Sequence, residues 1–377
     1  MKKHTKKRDW MQGDLLMLIL CCFILILIGT LIFILPREEI LERENRIAAP
    51  VPRFSLAKLK SGELAEGISD YYSDHLPFRD ELIYARSRLG YAFFGGEYGG
   101  TILGKDGYLI ERSEYGEKNY ALIEKNISDF MKLGEAVGIS TVVAVVPRAE
   151  DVMKGKMPGL PDGRDRVWEL LPPFTVTFDG MLREHADSGD YVWYRTDHHY
   201  TTEGAYYVYR ELADVLGYDA YPIDYFCRQA VTEDFLGTTF SASGLMSANA
   251  DEITLFRYVG DDEYSVRYGD VSQNGFYDHV ALEGRDKYSV FLGGNHGRTS
   301  VVKNGSVRPT LILIKDSYSH SLAPFLALHF NLELIDPRYF SDSLHTLLSD
   351  INAEKLVLFC GIDTLATADL RIVGRGE

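Results

Sequence analysis

Residues 310–319 read Thr-Leu-Ile-Leu-Ile-Lys-Asp-Ser-Tyr-Ser. The run Thr310–Ile314 is short, apolar and rich in β-branched residues, the pattern of a strand buried on both faces. Two more such runs follow, Leu332–Ile335 and Lys355–Phe359, and helical patterns at Leu322–Phe330 and Leu344–Ile351 lie between them. Strands alternating with helices imply a mostly parallel sheet covered on both sides, an α/β fold. Upstream, Thr141–Val146 reads as another buried strand, stopped by Pro147, after an amphipathic helix at Tyr120–Val137 ended by Gly138. Tyr191–Tyr194 and Tyr288–Leu292 read as strands, and residues 227–285 as irregular short β segments. A helix begins near Thr202, where Ala205, Val208, Tyr209, Leu212 and Leu216 recur at helical spacing until Gly217.

The other end of the chain is different in kind. Leu15 to Leu35 carries no charge, and Asp14 on one side and Pro36, Arg37, Glu38 and Glu39 on the other bound it. Its length suits one crossing of a bilayer. Lys2, Lys3, Lys6, Lys7 and Arg8 precede it, which predicts a cytoplasmic N-terminus and an extracytoplasmic remainder. A cleaved signal peptide has a shorter apolar region, and Ala48-Ala49, followed by Pro50, comes late for cleavage. An uncleaved signal anchor is therefore expected. The segments up to residue 100 read as a charged stalk with Pro50 and Pro52, then helices over Gly62–Gly96 interrupted at Pro77-Phe-Arg79.

The chain's formal charge is −15, and residues 1–14 hold five basic and two acidic groups, so residues 15–377 carry −18. Such a charge disfavours nucleic acid and anionic lipid as partners of the exterior part. Cys21 and Cys22 lie in the span; Cys227 and Cys360 could pair outside the cell, and their spacing fits no zinc motif. No Walker loop is present and no G-x-G-x-x-G follows a strand, which argues against a nucleotide cofactor.

Three clusters could carry chemistry. In Asp197-His-His199, an extended backbone would put Asp197 and His199 on one side and His198 on the other. A carboxylate beside an imidazole is what a general base requires, yet the same residues also fit helix capping and structural hydrogen bonds. Ser317 follows a buried strand and precedes a helix, the place where α/β sites expose a hydroxyl; Asp316 and Ser317 could equally be caps. Gly293-Gly-Asn-His-Gly297 allows close backbone approach, with Gly294 and Asn295 as candidate oxyanion donors, or it is simply a turn. A two-His-one-carboxylate metal site would take at most two ligands from this segment, because His198 and His199 diverge if it is extended, and His296 or His320 would have to complete it.

Taken in order, Glu44-Asn-Arg46, His75-Leu-Pro-Phe-Arg79, Leu103-Gly-Lys-Asp-Gly107, Thr196-Asp-His-His-Tyr-Thr201 with Gly204-Ala-Tyr206, Asp234-Phe-Leu-Gly-Thr238, Phe291-Leu-Gly-Gly-Asn295, Asp316-Ser-Tyr318 and Asp336-Pro-Arg-Tyr339 resemble the DHHW family of bacterial envelope proteins. That family is similar to the alginate O-acetylation proteins and, more distantly, to SGNH hydrolases. The resemblance implies an SGNH hydrolase-like α/β domain over 101–377, after a cytoplasmic tail (1–14), a transmembrane helix (15–36) and a stalk with a helical lead-in (37–100). It implies Asp197 as orienter, His199 as base and Ser317 as nucleophile, with the Ser317 N–H, Asn295 and Gly294 around the oxyanion. Two positions depart from the pattern: Tyr200 replaces the Trp that names the family, and Lys315 stands where an SGNH block has Gly.

The implied activity is acyl-ester chemistry on a cell-envelope polysaccharide, as O-acetyltransferase or acetylesterase, without cofactor or metal. A transferase would need a polytopic acyl-donating partner; a rival reading is a glycan-binding or scaffolding member with an inert site. The topology is checked by a reporter fused to the C-terminus. A reporter that works only outside the cytoplasm should be active there, and activity of a strictly cytoplasmic one would reverse the orientation.

Overall fold

The computed structural model describes residues 2–34, 39–41, 46–157 and 166–372. Leu35, Pro36, Arg37, Glu38, Glu44 and Asn45, which entered the expectations above, lie outside them. The chain divides into two units, 1–89 with 244–246 and 90–243 with 247–377.

In the first unit, helix α1 (Lys2–Ile34) contains the stretch Gly13–Ile32, among the described residues the one helix long and apolar enough to cross a membrane. Helices α2 (Leu56–Ser61), α3 (Glu63–Asp74) and α4 (Arg79–Phe93) follow, and the division between the units falls within α4. Asp74 ties this unit to the strand segment before it, accepting both guanidinium nitrogens of Arg46 at 2.6 Å and the Ala49 N–H at 2.8 Å.

The second unit is α/β, as the alternation of strands and helices implies. In chain order its elements are α5 (Glu117–Val137), β1 (Thr141–Val146), β2 (Val176–Thr177), α6 (Asp179–Ser188), α7 (Thr202–Glu211), the antiparallel pair β3 (Cys227–Phe235) and β4 (Asp251–Arg257), β5 (Tyr264–Tyr268), β6 (Val271–Asn274), β7 (Arg298–Lys303), β8 (Thr310–Lys315), α8 (Ser319–Leu326), β9 (Asn331–Ile335), α9 (Leu344–Ser349), β10 (Lys355–Gly361) and α10 (Ile362–Thr367). Eight strands form one sheet in the order β6-β5-β7-β9-β8-β10-β1-β2. The five from β9 to β2 are parallel, and β7, β5 and β6 extend the sheet by antiparallel pairing.

Side-chain alternation explains why the runs are apolar throughout. Leu311 and Leu313 of β8, with Val357 and Phe359 of β10, enter one core with α7 and α8; Ile312 and Ile314, with Leu356, Leu358 and Cys360, enter the other with α5, α9 and α10. Each such Leu or Ile, buried to within 1 % of completely, contributes about 1.5–3 kcal/mol by leaving water.

Crossover α8 runs over one face to β9, the neighbour of β8 on one side. Crossover α9 runs over the other face to β10, its neighbour on the opposite side. The chain thus leaves toward opposite faces around the carboxyl end of β8, the switch-point arrangement that opens a crevice in parallel sheets.

Some local expectations fail. Tyr191–Tyr194 forms no strand, only the bridge Trp193–Tyr200, because its backbone turns back on itself toward α7. Lys287–Val290 is a 3₁₀ turn, with Phe291 bridged to Tyr277. Their side chains are buried, so the apolar runs were real, but they belong to an irregular core rather than a ladder. Strand β7, Arg-Thr-Ser-Val-Val-Lys, buries only Thr299 and Val301, and its polar residues do not mark a strand.

Cys227 is exposed and Cys360 is fully buried in β10; both are free thiols, so no disulfide joins them. A thiol reagent should label Cys227 in the native protein and reach Cys360 only on unfolding. The melting temperature should not respond to reductant, as a melting-temperature drop in reductant would reveal a bond.

Candidate active site

The segment 195–199 leaves the short bridge at Trp193 and bends before entering α7. Asp251, the first residue of β4, holds that bend. Its completely buried carboxylate accepts from the Arg195 N–H at 2.9 Å, the Thr196 N–H at 2.8 Å, the Thr196 hydroxyl at 2.6 Å and the Tyr191 hydroxyl. Burial pushes the Asp251 carboxyl above its usual range, against the pull of these donors.

The bend aims Asp197 and His199 at each other. Asp197 Oδ1 accepts from the His199 N–H at 3.0 Å and from Nδ1 at 2.6 Å. Its Oδ2 accepts from the Thr238 N–H at 2.8 Å and hydroxyl at 3.0 Å. Residue 237 must be glycine, since a Cβ there would stand 2.3 Å from Asp197. The sequence Phe235-Leu-Gly-Thr238 is therefore a cradle for this carboxylate, a role that its sequence alone did not disclose. Burial acts to raise the Asp197 carboxyl, but the two neighbouring imidazoles and these hydrogen bonds outweigh it and hold it well below the usual range.

Ser317 lies just past β8, in the turn before α8, and is partly exposed. His199 Nε2 is 2.7 Å from its Oγ. With Nδ1–H given to Asp197, Nε2 is left to accept from the serine hydroxyl. The structure thus brings Asp197, His199 and Ser317 into one hydrogen-bonded chain. Asp316 fixes the turn: Oδ1 accepts the Tyr318 N–H at 3.1 Å, and Oδ2 accepts the Gly361 N–H and the Thr364 hydroxyl, both at 2.7 Å. Gly361 is required because a Cβ would meet the Tyr318 ring at 2.7 Å.

The oxyanion candidates separate. The Ser317 N–H donates to no acceptor among the described residues and remains available. The Gly294 N–H already donates to the Phe291 carbonyl at 3.3 Å, and the Asn295 side chain is exposed.

The expected divergence of the two histidines is not found. The segment is bent rather than extended, so the His198 ring lies 3.8 Å from that of His199, tilted by 36°. On the other side Tyr288 stacks on His199 at 3.9 Å and 8°, and its hydroxyl reaches Ser321 Oγ at 3.1 Å. His199 is therefore clamped between two rings. No local pattern in the sequence marked Tyr288. Asp197, His198 and His199 have potential ligand atoms within 4.8 Å of one another. Those atoms are engaged, however: His199 by Asp197 and Ser317, His198 Nδ1 by Thr238 Oγ1 at 2.6 Å, so a metal would have to displace them. His320, one proposed completing ligand, instead pairs with Lys315 Nζ at 2.7 Å. Tyr200 is fully buried beneath the site, edge-on to Trp193 at 6.1 Å, its hydroxyl bonded to the Tyr318 carbonyl.

Residues 176–335 match the family model for the DHHW protein, so the family resemblance seen in the sequence is borne out. Among solved structures, a DHHW family protein from Eubacterium siraeum is 20% identical, with a TM-score of 0.56, over 73% of this chain and 95% of its own. Bacillus cereus PatB1, solved with a sulfonyl adduct, is 15% identical, with a TM-score of 0.60, over 73% of this chain and 99% of its own. At these identities the likeness is one of fold. No curated protein matches the sequence.

Burial, and then the charge of His198, push the His199 imidazole below its ordinary value against the pull of Asp197. Replacing His198 removes the second of these depressing effects. In histidine-detected NMR, the His199 titration midpoint should lie below that of a free imidazole and move upward in His198→Gln. An unchanged or lower midpoint would contradict the clamped geometry.

Proposed function

We propose that this protein is an extracytoplasmic acyl-ester enzyme, anchored by α1, that transfers an acetyl group to a cell-envelope polysaccharide or removes one. The observation that carries the reading is the unbroken chain Asp197–His199–Ser317, with contacts of 2.6 and 2.7 Å, at the carboxyl end of β8. The fold shared with PatB1 and with a DHHW protein supports it.

Ser317 Oγ attacks the ester carbonyl carbon while His199 Nε2 takes its proton, and Asp197 stabilises the resulting imidazolium. The Ser317 N–H meets the oxyanion. Collapse expels the donor's alkoxide, which takes the proton from Nε2, and leaves an acyl-serine. A sugar hydroxyl or water, deprotonated by the same nitrogen, then attacks the acyl carbon, and collapse expels Ser317 Oγ, which takes that proton back from Nε2. His199 begins this cycle neutral, and its depressed pKa keeps it so. In the transferase version the acyl group reaches the exterior through a separate polytopic membrane protein, since one helix cannot carry it across.

A sulfonyl fluoride applied to the full-length protein should label the peptide carrying Ser317 and no other serine. Ser319 and Ser321 are nearby decoys, but both are buried, Ser319 bonded to the Asp316 carbonyl and Ser321 facing Tyr288. Ser317→Ala should remove the label with little change in melting temperature. His199→Ala should reduce acetyl-ester turnover by about 10³-fold or more. Label retained in Ser317→Ala would sink the assignment. Absence of both label and turnover would favour a glycan-binding protein with an inert site.

A further inference from the structure

Behind the bend that carries His199, a cleft of about 360 Å³ opens between the start of α7 and the β3–β4 pair. We infer that this cleft is a saccharide subsite for a neutral or amino-sugar polymer, and that it rejects polyanionic chains. Its volume is in the range of sites that hold small ligands. Glu203, Arg228, Glu252 and Thr254 line it, with Tyr194 and Thr202.

These groups are already ordered. Arg228 pairs with Glu203 at 3.0 Å, and its guanidinium lies over the Phe256 ring at 5.0 Å, yet the Arg228 side chain keeps half its surface open. The Thr254 hydroxyl donates to Glu252, whose side chain is exposed. The Tyr194 and Thr202 hydroxyls are buried and have no partner among the described residues beyond each other. Fixed donors and acceptors side by side are what vicinal sugar hydroxyls need, because each hydroxyl both gives and accepts. Ordering them in advance lowers the cost of binding.

Charge sets the selectivity. Two carboxylates face one guanidinium in the cleft, and residues 15–377 carry −18. A uronate or phosphate chain would be repelled, whereas a neutral sugar is tolerated and an ammonium is attracted. Two ring contacts join the cleft to the base: Tyr194 packs edge-on to Tyr288 at 6.4 Å, and Tyr288 stacks on His199 at 3.9 Å. The subsite would thus hold a sugar residue of the polymer away from the one being acylated. That role rests on the acyl-ester reading; the binding itself does not.

The test is calorimetric titration of full-length Ser317→Ala protein in lipid nanodiscs with cellotetraose, a chitosan tetramer and tetramannuronate. The neutral or the amino tetramer should bind saturably and tetramannuronate should not. Arg228→Gln and Glu252→Gln should each weaken binding by about tenfold or more, the effect of losing one hydrogen bond to a charged group, with unchanged melting temperatures. The inference is overturned if neither tetramer binds, if both substitutions leave binding intact, or if tetramannuronate binds best. Saturable binding beside a wild-type protein that turns over no acetyl ester would sink the acyl-ester reading alone.

Discussion

The site depends on one buried carboxylate. Segment 195–199 belongs to no ladder or helix, so its backbone donors need partners from elsewhere, and orphaned buried donors are costly. Asp251 supplies them, accepting two consecutive N–H groups and the Thr196 hydroxyl. The Thr196 oxygen in turn accepts the Gly237 N–H at 3.1 Å, which draws the 235–238 turn onto Asp197. A single carboxylate thereby fixes the bend and the cradle of Asp197. Its burial opposes its ionisation, so four donors converge on it where one or two would suffice at a surface.

Ser317 is held by different means. Ser317 depends on the parallel sheet, because β8 is flanked by β9 and β10 and its last residues have nowhere else to go. Asp316 then locks the turn to the start of α10. Two independently anchored segments, 118 positions apart, meet in the His199–Ser317 contact. Tyr288 reinforces the meeting: it stacks on the imidazole while its hydroxyl reaches Ser321 on α8. Burial keeps that phenol protonated and so a donor.

Much of this was legible in the sequence, for identifiable reasons. Buried parallel strands are nearly all apolar, so β1, β8, β9 and β10 announced themselves. Strand β7 packs one face only, and its polar alternate residues hid it among loops. Asp197 and His199 are neighbours in sequence, so their pairing could be read locally, although a bend and not an extended strand brings them together. Asp251, Thr238 and Tyr288 act across 40 to 90 positions, and no local pattern encodes such contacts. The 234–238 motif was visible as a resemblance; only its packing against Asp197 explains why glycine and threonine stand there.

Lys315 shows how far the alternation of side chains governs the site. Leu311, Leu313 and Lys315 point to the face covered by α7 and α8, Ile312 and Ile314 to the other. Past the strand the same rhythm continues, with Asp316 bound to the start of α10 and Ser317 facing His199. Lys315 is 1% exposed, so its ammonium must find partners inside: His320 Nε2 on α8 at 2.7 Å and Asp336, just after β9, at 3.7 Å. Asp336 also binds Arg338 through both oxygens. Burial depresses the lysine, and burial together with the lysine's charge depresses His320 well below its ordinary range, which favours a neutral imidazole as the acceptor. The lysine at 315 is directed into the sheet-end cluster, where it joins β8, β9 and α8 beneath Ser317. The carboxyl end of β8 is thus closed on this face by a buried lysine with partners on α8 and after β9.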